Sequence, residues 1–260
     1  MTSTHEAMLA LAGDAARAAG ALLRAMREQA LATISTKATA TDMVSDADRA
    51  AERLIVERLL AARPDDAVLG EEGGGRSGTS GVRWVIDPLD GTTNYLYGLP
   101  AFVVSIGADV AGVPTIGVVY DPTHNELFTA IAGRGAHLNG RPIAVSGHVD
   151  LATALVGTGF AYEAERRVEE GRVVARVVGR VRDLRRTGAA ALDLCNVACG
   201  RFDAFYERGL KLWDLAAGEL IVREAGGVTA AIEGGPVVPT SVLASTPRIV
   251  DALRALLVEG

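Results

Sequence analysis

Apolar residues in the first thirty positions recur at helical spacing. Met8, Leu11, Ala15, Ala19, Leu22 and Met26 fall on one side of a 3.6-residue repeat, which predicts an amphipathic packing helix over residues 3–29. A second helix is expected over about 46–62, with Leu54, Ile55, Leu59 and Leu60 on its buried side. Ser45 suits its N-cap, and Asp48 three positions later resembles the second half of a capping box. Residues 31–44, rich in Thr and Ala, read as extended or hairpin. The pattern then shortens. Residues 67–69 and 84–86 are strand-like apolar runs, the second expected to stop at Asp87-Pro88, because proline lacks the N–H a central strand uses. Residues 73–81 are Gly- and Ser-rich and predict a flexible loop with few anchors of its own. Residues 101–110, 113–120 and 126–130 are β-rich, with turns at Ala111-Gly112, Gly133-Arg134-Gly135 and Asn139-Gly140, and predict an antiparallel arrangement. Beyond residue 146, strands near 154–157, 184–186, 202–206, 227–230 and 242–244 alternate with helices near 163–181, 189–199, 214–225 and 247–258. The chain therefore reads as an α+β half over 1–145 and an α/β half over 146–260.

Composition narrows the function. With 260 residues, 49% hydrophobic and 22% charged, the chain has ample material for a core. A net charge of −6 gives no footprint for nucleic acid, and such a chain must gather positive charge or metal locally to hold an anion. Cys195 and Cys199 lie at i, i+4 with no second pair or neighbouring histidine, so they read as core thiols rather than a zinc site. That cysteine usage fits a reducing compartment. With neither a signal-like N-terminus nor a membrane-length apolar run, a cytoplasmic protein without a membrane partner is expected. His5, His124, His137 and His148 fall outside every motif and read as surface or turn residues. Of 26 basic residues only Lys37 and Lys211 are lysine, and each precedes a motif acid, Asp42 and Asp214. Lys37 is a candidate for electrostatic support of the site.

The chemistry centres on residues 82–97. Asp87 and Asp90 precede Gly91, Thr92 and Thr93. Paired carboxylates suit hard divalent cations, and a glycine with neighbouring N–H and hydroxyl donors lets an anion approach the backbone. Taken alone the segment also reads as an Asp-Pro and Asp-Gly turn. Three more segments change that balance. Asp87-Pro88-Leu89-Asp90-Gly91-Thr92-Thr93-Asn94 resembles the signature of the inositol monophosphatase family, the magnesium-dependent, lithium-sensitive phosphomonoesterases. In the same order, Asp42-Met43-Val44-Ser45-Asp46-Ala47-Asp48 resembles its N-terminal acidic motif, with serine where threonine is usual. Gly70-Glu71-Glu72 and Trp213-Asp214-Leu215-Ala216-Ala217-Gly218 resemble two further motifs. The resemblance runs from about residue 8 to the C-terminus.

The resemblance implies a layered αβαβα sandwich, two or three Mg²⁺ ions, a small phosphorylated substrate and a homodimer. It assigns Glu71, Asp87 and the Leu89 carbonyl to a first metal, and Asp87, Asp90 and Asp214 to a second, with Asp87 bridging. Gly91 and Thr92 would cradle the phosphate. Thr92, held by donating a hydrogen bond to Asp48, would act with Glu71 on the attacking water, with no covalent phosphoenzyme. Gly188, Ala189, Glu207 and Asp214 would contact the alcohol portion of the substrate. Many relatives carry Ser or Thr at the position of Ala189, so one hydroxyl contact is missing here. Asp214 also reads as a helix N-cap. The implied substrate is myo-inositol 1-phosphate. Histidinol phosphate, fructose 1,6-bisphosphate and a 3′-phosphonucleotide are alternatives with the same chemistry. A regulatory protein of the same fold, acting through transcription or RNA machinery, is an alternative of another class.

Overall fold

The computed structural model describes residues 4–32, 40–73 and 75–259. Helices α1 (Thr4–Ala32) and α2 (Ala40–Ala62) cover one face of a seven-stranded sheet. Its strands lie in sequence order: β1 (Ala67–Gly70), β2 (Val82–Asp90), β3 (Val103–Val110), β4 (Val113–Asp121), β5 (Glu126–Ile131), β6 (Ala136–Leu138) and β7 (Arg141–Ile143). A short helix, α3 (Thr92–Leu96), follows β2. The other face of the sheet packs on α5 (Ala190–Ala198) and α6 (Leu212–Glu224). Behind these lies a second sheet in the order β11 (Val228–Ala230), β12 (Ser241–Ser245), β10 (Ala204–Arg208), β8 (Leu155–Thr158), β9 (Asp183–Arg185). Helices α4 (Ala164–Val177) and α7 (Val250–Val258) close its outer face. The result is the expected αβαβα sandwich.

Period-two alternation builds the layers. On β3, Val104 and Ile106 join the α1–α2 core, while Val103 faces α5 and α6. On β10, Phe205 points towards α5 and α6, while Ala204 and Tyr206 point towards α7. Ala111-Gly112 and Asn139-Gly140 both have positive φ at both residues, the tight hairpin geometry that matches strand twist. Among the described residues, no helix is long and apolar enough to cross a membrane.

Four sequence expectations need correction. First, β2 does not stop at Asp87-Pro88 but runs to Asp90. Pairing with β3 skips from Asp87↔Ser105 to Asp90↔Val103, so one extra residue bulges out and the missing proline N–H leaves no gap in the ladder. Second, the first sheet is not wholly antiparallel, because β1 runs parallel to β2. Third, α2 begins at Ala40, so Ser45 is an interior position rather than its N-cap, and Asp46 is a surface acid paired with Arg49 at 2.9 Å. Residues 40–44 contain no Gly or Pro to break the helix. Residues 33–39, and Lys37 with them, lie outside the described residues. Fourth, residues 75–81 of the expected flexible loop are held by protein groups. Arg76 and Val68 exchange backbone hydrogen bonds, and Thr79 and Ser80 N–H both donate to the Asp65 carbonyl. The buried Asp66 carboxylate accepts from Arg63, Ser80 and the Trp84 indole; these bonds keep it ionised below its usual range despite its burial.

Candidate active site

Two features of the first sheet gather the acids. The parallel register of β1 and β2 pairs Gly70 with Ile86, and Glu71 N–H donates to the Ile86 carbonyl at 3.2 Å. Glu71 therefore leaves the end of β1 beside Asp87. Glycines then bring α6 down onto the sheet. A Cβ at Gly107 would stand 3.0 Å from the Ala216 Cβ, and one at Gly117 would stand 2.7 Å from the Ala217 carbonyl oxygen. This close approach brings the first turn of α6, with Asp214, over β2. Asp214 is the third residue of α6, not its N-cap; its carboxylate accepts the Lys211 N–H at 2.7 Å.

Backbone tethers fix the carboxyl planes. Asp87 Oδ1 accepts the Leu89 N–H at 3.0 Å, and Asp90 Oδ2 accepts the Ala191 N–H at the start of α5 at 2.7 Å. Asp48 and Asp87 are almost wholly buried, whereas Glu71 stands at the solvent-facing rim. Burial pushes Asp87 well above the usual carboxylate range, and the charges of Asp90, Glu71 and Asp214 push it further. Asp90 is raised by burial and by Asp214, and Asp214 is raised by burial. Desolvation and the Asp214 charge lift Glu71 to about 7, while burial and the charges of Glu72, Glu71 and Glu52 lift Asp48 to about 8. Glu71 and Asp214 both stand close enough to Asp87 for the groups to influence one another. Like charges gathered this closely raise one another's pKa, so the cluster lacks a compensating positive charge.

Among the described residues, no three His, Cys, Asp or Glu side chains already stand as a finished coordination shell. The donor set nonetheless fits a hard divalent cation. Every group is oxygen, no imidazole or thiolate takes part, and the mutual repulsion of the carboxylates marks where positive charge is needed.

Beside the acids, Gly91 turns the chain at φ 94 into α3. A Cβ there would stand 2.6 Å from the Ala101 carbonyl and 3.3 Å from the Ala189 Cβ. Ala189 thus lies against Gly91, and Gly188 against the Asn94 amide. Asn94 Nδ2 fastens the two segments by donating to the carbonyls of Ala101 (2.7 Å) and Thr187 (2.8 Å). Gly91→Ala is expected to destabilise the chain by about 1–3 kcal/mol through positive φ and crowding, and to lower phosphatase activity at least tenfold by displacing the turn. Urea unfolding and phosphate release measure the two effects. Glu207 approaches from β10, its carboxylate against Gly159. Burial, Asp193 and Asp214 lift it to about 8, opposed by Arg186.

One expected bond is absent. The Thr92 hydroxyl donates not to Asp48 but to the Leu89 carbonyl, at 3.0 Å, and buried Asp48 Oδ1 has no hydrogen-bond partner. The carbonyl lies three residues back in the same turn, so the local bond wins over one to another helix. The sequence reading missed three neighbours of the site: Glu52, Thr187 and Asp193. Asp193 is buried, accepts from the Thr187 hydroxyl at 2.6 Å, and is raised to about 7 by burial. Helical spacing from Asp48 was the available signal for Glu52; Asp193 is an acid inside an otherwise apolar helix, which was its signal. None of the four histidines is buried, and Cys195 is a free, buried thiol on α5.

Compared with known proteins, residues 4–259 match the inositol monophosphatase family. The chain belongs to that family. It is accordingly a phosphatase. Among its relatives, the Nus factor SuhB of Escherichia coli K12 is 43% identical over 252 residues, covering 95% of this chain and 94% of that one. The inositol-1-monophosphatase SuhB of Mycobacterium tuberculosis is 45% identical over 237 residues, covering 86% and 81%. The solved inositol monophosphatase of Anabaena superposes with a TM-score of 0.86 at 38% identity, covering 98% of this chain and 96% of that one.

Proposed function

We propose that this phosphatase hydrolyses myo-inositol 1-phosphate to inositol and phosphate, using two or three Mg²⁺ ions. The observation that carries the reading is the convergence of Glu71, Asp87, Asp90 and Asp214, from the end of β1, β2 and α6, beside the Gly91–Thr92 turn, all four raised above the ordinary carboxylate range. Glu71, Asp87 and the Leu89 carbonyl would hold one ion, and Asp87, Asp90 and Asp214 a second. Bound there, the ions would neutralise the phosphoryl oxygens, lower the pKa of an attacking water and stabilise the leaving oxygen.

The chain's own groups do the rest. Backbone N–H groups of Gly91 and Thr92 bind the phosphate. Thr92, with Glu71, orients the attacking water and accepts its proton. Turning the Thr92 hydroxyl from the Leu89 carbonyl to Asp48 would free that carbonyl as a ligand and satisfy the unpartnered Asp48 oxygen. Attack is direct: burial pushes the thiols of Cys195 and Cys199 up, which leaves neither suited to act as a nucleophile. Gly188, Ala189 and Glu207 face the alcohol portion of the ester, with Glu207 accepting from its hydroxyls. The Mycobacterium tuberculosis relative's name supports the inositol ester, and the resemblance supports a homodimer.

A phosphate-release screen with and without Mg²⁺ tests the assignment. Inositol 1-phosphate should turn over with a higher kcat/KM than histidinol phosphate, fructose 1,6-bisphosphate or a 3′-phosphonucleotide, and only with the metal. No preference among the four would remove the inositol assignment and leave the phosphatase. A second reading, a regulatory role, is favoured by the name of the Escherichia coli relative. It gains if Asp90→Asn abolishes phosphatase activity yet leaves the phenotype of the producing cell intact.

A further inference from the structure

We infer that Glu52 is a positioning residue for Glu71, clamping the turn that carries it. Asp48 and Glu52 lie one turn apart on α2 and are each 4% exposed. The Glu52 carboxylate does not reach out to solvent. Its Oε2 accepts the Glu72 N–H at 2.9 Å. The same carboxylate rests on the backbone of Gly70, the last residue of β1: a Cβ there would stand 2.2 Å from Glu52 Oε2.

The Gly70-Glu71-Glu72 turn is thus gripped from both sides. β2 takes the Glu71 N–H through the Ile86 carbonyl, and α2 takes the Glu72 N–H through Glu52. Each bond restrains one of the two peptides around Glu71. Beyond Glu72 comes Gly73 at φ 98, and among the described residues the next backbone anchor is Arg76 on Val68. Without Glu52, the peptide on the far side of Glu71 loses the side-chain bond from α2 that restrains it. A carboxylate accepting a backbone N–H is a charge-assisted bond, stronger than a neutral one. Gly70 is part of the device, since any side chain there would drive the Glu52 carboxylate off the turn.

The inference rests on Glu71 being a metal ligand, so the test separates the two claims. Mg²⁺ binding is followed by calorimetry on chelator-stripped protein, alongside the Mg²⁺ half-saturation of phosphate release. Glu52→Ala is expected to weaken Mg²⁺ by about 10-fold or more, the usual cost of losing a partner that orients a ligand. Glu52→Gln keeps an oxygen for the Glu72 N–H and should recover most of that loss. Gly70→Ala keeps every carboxylate and should weaken Mg²⁺ as Glu52→Ala does. Wild-type Mg²⁺ affinity in Glu52→Ala overturns the inference, and so does an equal loss in Glu52→Gln, which would make charge rather than the bond the cause. Should Glu52→Ala fail to fold, unchanged affinity in Gly70→Ala overturns it instead. Glu71→Gln is the separate control: unchanged Mg²⁺ binding there would remove the ligand role itself.

Discussion

Asp87→Asn is expected to lower kcat by about three orders of magnitude or more without harming the fold. The carboxylate is proposed to bridge both ions, so its loss weakens charge neutralisation on the phosphoryl group and activation of water together. These effects supply several kcal/mol, and each 1.4 kcal/mol is about tenfold in rate. The structural consequences run the other way. An asparagine oxygen can still accept the Leu89 N–H that Asp87 Oδ1 now holds at 3.0 Å. The substitution also removes one acid from a buried place where Asp90, Glu71 and Asp214 all disfavour its charge. The variant, stripped of metal at pH 8, should therefore melt no lower than the wild type. Steady-state phosphate release and a thermal melt decide the matter. Retained activity would exclude Asp87 as a bridging ligand. Lost activity with a lower metal-free melting temperature would make Asp87 a structural residue instead.

The pattern of apolar residues located most helices and strands, while the five-layer arrangement was implied only by the family resemblance. On β10 the apolar run Ala204-Phe205-Tyr206 marks a strand, but only the structure shows that Phe205 and Tyr206 enter different cores. What could not be read from the sequence was set by partners distant along the chain. The direction of β1 depends on where the 71–81 crossover returns, and that decides that Glu71 stands beside Asp87. The passage of β2 through Pro88 depends on a bulge that β3 permits. The start of α2 was misjudged because Ser45 is a good local cap, yet the helical residues before it supply an earlier start. Within the site, the motifs named Asp48, Glu71, Asp87, Asp90 and Asp214, and the structure brings these together. The motifs could not show that the Thr92 hydroxyl turns to its own Leu89 carbonyl, nor that Glu52 acts on the neighbouring turn; both are questions of rotamer and packing.

Metal-free protein is expected to lose stability as pH rises from about 5 to 8, and Mg²⁺ to restore it. Asp48 is pushed up to about 8 and Glu71 to about 7, and Asp87, Asp90 and Asp214 are raised with them. In the unfolded chain these acids ionise near their ordinary values, about pH 4. Between the two ranges the folded chain binds more protons than the unfolded one, so each added pH unit favours unfolding. The stability these acids retain while protonated is complete below about pH 4 and is lost as pH climbs towards the folded values. Asp48 alone accounts for about 1.4 kcal/mol per pH unit over that window, or roughly 3–4 kcal/mol between pH 5 and 8. Glu71, at the rim, is screened by solvent and adds little. At about 2–4 °C per kcal/mol for a chain of this length, the melting temperature should fall by roughly 10 °C. A divalent cation must displace the same protons, so its stabilising effect should grow over the pH range in which the folded acids ionise. Thermal melts at pH 5, 6, 7 and 8, with chelator and with saturating Mg²⁺, measure both slopes. A melting temperature that stays level or rises with pH in chelator would show that these carboxyls are not held protonated. A Mg²⁺ shift of the same size at pH 5 and pH 8 would show that the ion binds elsewhere.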